Sequence, residues 1–178
     1  MNKKGIPVVI EDLITIAIVV AAVILVNHFL LINAKIPSES MEKTVMTNDR
    51  IFGNRLAYRE SIPGRYDIVI FRYPDDPTGN TLFIKRIIGL PGEVLYIRGG
   101  KVYINGSSEP LDDSFCPEEP VGDFGPYEIP EHSYFLMGDN RNDSHDSRFW
   151  KNPFVTEDQI LGKAFYRYWP LNRIGIIS

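Results

Sequence analysis

Three short segments of this chain carry residue types that could do nucleophilic and acid–base chemistry. The first, Pro37-Ser-Glu-Ser-Met-Glu-Lys-Thr-Val45, holds two serines at i and i+2. In extended or turn backbone both face one site, one to attack and one to donate a hydrogen bond, although serines in a loop are also ordinary turn formers. The second, Leu82-Phe-Ile-Lys-Arg-Ile-Ile-Gly-Leu-Pro-Gly92, is a near-continuous apolar strand interrupted by two cations. Side chains alternate along a strand, so Lys85 and Arg86 point to opposite faces and one of them is forced toward apolar surroundings. A desolvated lysine loses its preference for the charged form and can then act as a general base near neutral pH. Lysine also guards exposed sheet edges against aggregation, so position alone leaves both roles open. The third, Met137-Gly-Asp-Asn-Arg-Asn-Asp-Ser-His-Asp-Ser-Arg148, follows an apolar strand with an unusually dense polar run. Such runs build the hydrogen-bond networks that hold reacting groups in place.

Other chemistries fail on spacing. Ser144-His145-Asp146 has the residue types of a catalytic triad, but neighbours in sequence cannot set serine and aspartate against opposite nitrogens of one imidazole. Asp139 is followed two positions on by Arg141, which rules out a calcium loop of the EF-hand kind. No metal site and no cofactor are expected. Cys116 is the single cysteine, so no internal disulfide is available, and it is read as a small, partly buried residue rather than a nucleophile. A net charge of −4 gives no attraction for nucleic acid.

The elements that position these segments are short and β-prone. Strands are expected over residues 67–73, 81–88, 94–97, 101–104 and 133–137, with Gly99-Gly100 as a two-residue hairpin turn. Glu109 to Pro130, rich in Pro, Gly and acidic residues, reads as a surface excursion, and residues 93–133 as a smaller non-catalytic lobe. Thr156 could cap a short helix. Leu13 to Ile32 contains no acidic or basic side chain and is long enough to cross a bilayer of about 30 Å as a helix. Nothing like a small-x-small cleavage site follows it, so it reads as an uncleaved anchor. Lys3 and Lys4 place residues 1–12 on the cytoplasmic side and residues 33–178 outside. The expected fold is mostly β: an antiparallel, barrel-like catalytic domain with a small β appendage on a single N-terminal transmembrane helix.

In this order the three segments resemble the boxes of the bacterial type I signal peptidases, whose serine box reads approximately P-S-x-S-M-x-P-T-L and lysine box Y-I-K-R-x-x-G-x-P-G-D. Their final box, G-D-N-R-x-x-S-x-D-S-R, is matched throughout by Gly138 to Arg148. Departures are Lys43, Val45, Phe83 and Glu93, and Tyr66 where a glycine often precedes the Asp67-Ile-Val-Ile-Phe71 box. The resemblance implies Ser40 as nucleophile and Lys85 as general base. It implies Ser38 as side-chain donor to the oxyanion beside the Ser40 N–H, and Ser144 as the hydroxyl that orients the lysine amine. Asp146 and Arg148 resemble a structural ion pair, with Asp139 and Arg141 as further support. The implied partners are signal peptides of secreted preproteins and membrane lipid, at the cell membrane.

A strand-built site would hold its substrate as an added strand, with alternate substrate side chains against the wall. The wall is expected to be Ile36, Pro37, Met41, Leu82, Phe83 and Ile84, with Val69 as a further member, which suits cleavage after Ala-x-Ala. A catalytically silent, membrane-tethered peptide-binding domain would share this composition, but would not require Ser38, Ser40, Lys85 and Ser144 together.

Overall fold

A computed structural model describes residues 8–116 and 118–177; Lys3 and Lys4 lie outside them. Helix α1 (Val8–Phe29) is apolar on every face, and its side chains, from Val9 and Leu13 to Ile24 and Phe29, are all exposed. A helix with no polar face, whose side chains are exposed from residue 9 to residue 29, needs apolar surroundings. Its polar side chains turn inward on its own backbone, Thr15 Oγ1 donating to Glu11 O and Asn27 Nδ2 to Val23 O, each at 2.9 Å. The helix starts before and ends before the expected 13–32 span. Leu31 and Ile32 open strand β1 (Leu31–Lys35) instead, because pairing with the next strand buries Ile32.

The remaining strands are β2 (Arg50–Asn54), β3 (Ile68–Arg72), β4 (Leu82–Gly89), β5 (Val94–Arg98), β6 (Lys101–Ile104) and β7 (Phe124–Glu128). They are followed by β8 (Ser133–Met137), β9 (Val155–Thr156), β10 (Ile160–Trp169) and β11 (Gly175–Ile176). The main sheet runs β1-β2-β10-β3-β4-β8-β9, with β11 on β10, and every pairing is antiparallel. A second sheet, β6-β5-β7, stands apart. Its β7 falls inside the stretch expected to be a surface excursion, while Ser133 already belongs to the main sheet. The β5–β6 turn is Gly99-Gly100, at φ +55° and +76°, the left-handed pair that a two-residue hairpin requires. After Thr156 the chain makes only a 3₁₀ turn, Glu157–Gln159, with Thr156 N donating to Gln159 Oε1 at 2.9 Å.

Three apolar clusters fill the fold. Ile32, Ile51, Ile68, Ile70 and Ala164 form one under β1, β2 and β10. A second joins Val69, Phe71, Ile87, Leu136 and Trp150, and a third joins Phe135 and Met137 to the small sheet. The crossing of β10 over β2 depends on Gly162. A Cβ there would stand 2.3 Å from Asn54 O, a backbone atom that cannot swing away. Gly162→Ala should therefore destabilise the domain by about 1–3 kcal/mol, the usual cost of overpacking, read as a lower midpoint in thermal unfolding; an unchanged midpoint would mean the two strands can part freely.

Candidate active site

Ser40 lies on the loop between β1 and β2, which closes on itself before it reaches the site. Ile36 N donates to Asp49 O at 2.9 Å and Asn48 N to Ile36 O at 2.8 Å, pinching the loop at its base. Val45 N to Met41 O, 2.8 Å, makes a tight turn just after the serine. Lys43 sits in that turn at φ +77°, a value that proline's ring forbids. Met41 is fully buried and anchors the turn in the core.

Lys85 arrives from β4. The second half of this strand pairs with β8, but its first half, Leu82 to Lys85, pairs only with β3. Lys85 is 3% exposed and its Nζ lies 2.5 Å from Ser40 Oγ. Ser38 Oγ is 3.3 Å from the same oxygen. Arg86, on the opposite face, is equally buried. Both cations of the pair are inside, where only one was expected, because Asp139 covers the second face and takes Arg86 Nε and Nη2 at 2.9 and 2.7 Å.

The polar run after β8 is folded into a cage. Asp146, fully buried, accepts Arg148 Nε and Nη2, both at 2.8 Å, and the Gly138 N–H at 2.9 Å. Arg148 Nη2 also donates to Arg141 O at 2.5 Å. Arg141 reaches away from the site to Asp113, at 2.5 and 3.1 Å, and so ties the run to the stretch after β6. Thr44, which the sequence reading left without a role, donates to Asp139 Oδ2 at 2.5 Å and joins the serine loop to the cage. Cys116 is buried, its Sγ 3.0 Å from Asp139 O. Burial pushes its thiol pKa up, which leaves it unreactive.

These pairings set the state of Lys85. Burial pulls its pKa down from 10.5 to about 8, while Asp146 and Asp139 pull it up and Arg148 pulls it down again. Each of those carboxylates is already gripped by an arginine, so desolvation wins.

Ser144 is placed differently from the expectation. Its hydroxyl is buried and makes no hydrogen bond to Lys85 or to any other described residue. It packs instead on Gly138, where a Cβ would stand 2.2 Å from Ser144 Oγ and 2.3 Å from Ser40 O. The absent side chain of Gly138 is what lets the two serines' segments meet.

A groove of about 810 Å³ opens over Ser40 and Lys85. One wall runs from Ile32 through Ile36 and Pro37 to Ser40, the other from Thr81 through Leu82, Phe83 and Ile84 to Lys85. Met41 and Val69 do not line it: both are fully buried in the core behind the walls. Asp143 and His145, which the sequence reading gave no part in substrate contact, reach its edge.

A family model described as signal peptidase, peptidase S26, matches residues 9–169. The chain belongs to this signal peptidase family. A signal peptidase I of Leptolyngbya laminosa is 39% identical over 170 residues, 93% of this chain and 82% of that protein. A Synechocystis protein named probable signal peptidase I-2 is 41% identical over 146 residues, 80% of this chain and 65% of that one. The crystal structure of a signal peptidase I from Enterococcus faecalis V583 is 34% identical, with a TM-score of 0.47 over 58% of this chain and 97% of that chain.

In this signal peptidase the Asp146–Arg148 pair is out of water on both sides, at 0% and 1% side-chain exposure. Asp146→Ala would leave a guanidinium buried without its counter-charge, so it should cost about 3–5 kcal/mol of stability, measured as a shift of the urea unfolding midpoint. A loss near zero would show that the arginine escapes to solvent.

Proposed function

We propose that this signal peptidase is a membrane-anchored serine endopeptidase that removes signal peptides from exported preproteins after Ala-x-Ala sites, with Ser40 as nucleophile and Lys85 as general base. The observation that carries this reading is the buried, 2.5 Å contact between Lys85 Nζ and Ser40 Oγ at the floor of an apolar groove. A neutral amine there takes the hydroxyl proton as Ser40 attacks the scissile carbonyl. The negative charge that develops on the carbonyl oxygen is met by the Ser38 hydroxyl and the Ser40 N–H. Lys85 then passes its proton to the departing amine, and later takes one from the water that releases the acyl group. Ser144, whose buried hydroxyl makes no hydrogen bond to Lys85, is given no step in this sequence.

α1 is the membrane anchor on this reading, with residues 1–12 cytoplasmic and the sheets outside. The outer edge of β1 and the edge of β4's first half that faces away from β3 lie on the two walls of the groove, and a substrate strand between them would meet backbone groups on both sides. Substrate side chains at the cut and two places before it would then lie against Ile36 and Ile84, which leave room for alanine. Replacing Ile84, 8% exposed, with alanine should widen the accepted residues at those positions. A substrate series in which the residue between them controls kcat/KM would count against strand-like binding.

The pH dependence follows from Lys85. Only the neutral amine accepts a proton, so cleavage should rise with pH and reach half its plateau near the group's value of about 8. Ser40→Ala and Lys85→Met should both abolish cleavage of a preprotein in detergent. The lowered pKa also means that the folded state binds fewer protons than the unfolded chain between about 8 and 10.5. Stability therefore climbs with pH across that window, and the burden of the buried ammonium is full below it. Lys85→Met should accordingly be inactive yet more resistant to unfolding than wild type at pH 7. A less stable Lys85→Met protein, or a rate midpoint at the ordinary lysine value, would remove Lys85 as a buried base.

A further inference from the structure

Asn140 has been given no part in the reaction, yet it grips the nucleophile's backbone twice. Its N–H donates to Ser40 O at 3.2 Å, and its Nδ2 donates to Glu39 O at 3.1 Å. Those two oxygens belong to the peptide groups on either side of the Ser40 Cα. A trans peptide is planar, with C=O and N–H pointing in opposite directions. Holding Glu39 O therefore aims the Ser40 N–H the other way, and holding Ser40 O fixes the next plane, so the backbone of Ser40 keeps little torsional freedom.

The Ser40 N–H itself donates to no described residue. In a loop where the flanking carbonyls are engaged, this donor is left available. Glu39 O also accepts from Glu42 N at 2.9 Å within the loop's own turn, so Asn140 supplies the hold from outside the loop. The other contacts act elsewhere, Thr44 tying the loop's far end to Asp139 and the bonds of Asp49 closing its base. Asn140 is the residue on the polar run whose side chain meets the Glu39–Ser40 peptide.

We infer that Asn140 is a positioning residue for the oxyanion site, holding the Glu39–Ser40 peptide so that the Ser40 N–H points to where charge develops. The inference rests on Ser40 being the nucleophile. Donors placed in advance are worth about 10²–10³ in kcat when one is lost outright. A donor that is misaimed rather than removed should cost less, on the order of 10- to 100-fold.

The test uses the full chain in detergent micelles and an Ala-x-Ala peptide substrate, with Asn140→Ala and Asn140→Asp. The aspartate variant keeps the size of the side chain and the backbone bond to Ser40 O but has no amide to donate, so it carries the test if the alanine variant unfolds. Both should lose kcat 10- to 100-fold, with KM within twofold and the pH midpoint unmoved, since Lys85 is untouched. A peptide aldehyde ending in the same residues, which adds reversibly to Ser40 Oγ, should lose affinity in step with kcat. The product peptide should bind as before. Wild-type kcat in Asn140→Asp, a loss that falls in KM, or a shifted pH midpoint would each overturn the inference. Ser40→Ala is measured beside them. If it still cleaves, the nucleophile assignment has failed; if it is dead while both Asn140 variants match wild type, only the role of Asn140 has failed.

Discussion

A buried ammonium that is denied a carboxylate of its own is the constraint around which this molecule is arranged. Lys85 forms no ion pair among the described residues, although Asp139 and Asp146 are near enough to act on it. Each is held in two-pronged fashion by an arginine, Arg86 and Arg148. A pair bound in that way presents little net charge to a third group, so the amine experiences mainly the loss of water. Free either carboxylate and it would stabilise the protonated amine, raising the pKa away from the range where a base is useful. The two buried pairs are therefore part of how the amine's pKa is held down, as well as part of the scaffold.

The second requirement is to bring together segments far apart in the chain. The serine loop, β4 and the run after β8 converge through short contacts of small side chains and backbone: the Thr44 hydroxyl with the Asp139 carboxylate, Asn140 with the Glu39 and Ser40 carbonyls, and Gly138 against Ser144 and Ser40. Little of this depends on flexible surface side chains. Tyr66 illustrates the same rigidity, standing at φ +73°, a left-handed value that side chains rarely adopt. Its carbonyl accepts from Arg86 at 3.0 Å and its ring packs edge-on to Phe115, contacts that hold a backbone otherwise unfavourable for a side chain.

What the sequence revealed follows the strength of local signals. β3, β4 and β8 are dense in Val, Ile, Phe and Leu, and their cores are legible at once. β1 was hidden because Leu31 and Ile32 continue an apolar run that begins in the helix, and only pairing with β2 separates them from it. β7 carries Gly125 and Pro126, which disfavour a strand, and exists because β5 offers it an edge. β10 places Lys163 and Arg167 amid its apolar residues; their partners, Asp67 and Asp49, lie far away in sequence. At the site, neither the serine pair nor Lys85 stood out from its own residues, since loop serines and edge lysines are common; it was the order of the three segments that joined them. Met41 was misplaced because an apolar residue beside Ser40 serves a core as readily as a pocket. The orphaned hydroxyl of Ser144 could not be foreseen, since hydrogen-bond partners are a matter of ångströms.

The junction between α1 and β1 has a mechanical meaning. Only Leu30 separates helix from strand, and the bend is clasped: Leu30 N reaches back to Val26 O, while Arg55 binds Leu30 O through its N–H and Leu31 O through Nε. This is a stiff elbow rather than a tether. β1 and its continuation to Pro37 then form one wall of the groove. With a reach of at most roughly 3.6 Å per residue, Ser40 stands no farther than roughly 40 Å from the end of the helix at Phe29. On the anchored reading, the chain thus carries its own ruler: the depth at which α1 sits in the bilayer sets the height at which Ser40 meets its substrate, and one residue added at the elbow would change that height and turn the wall's side chains to its other face.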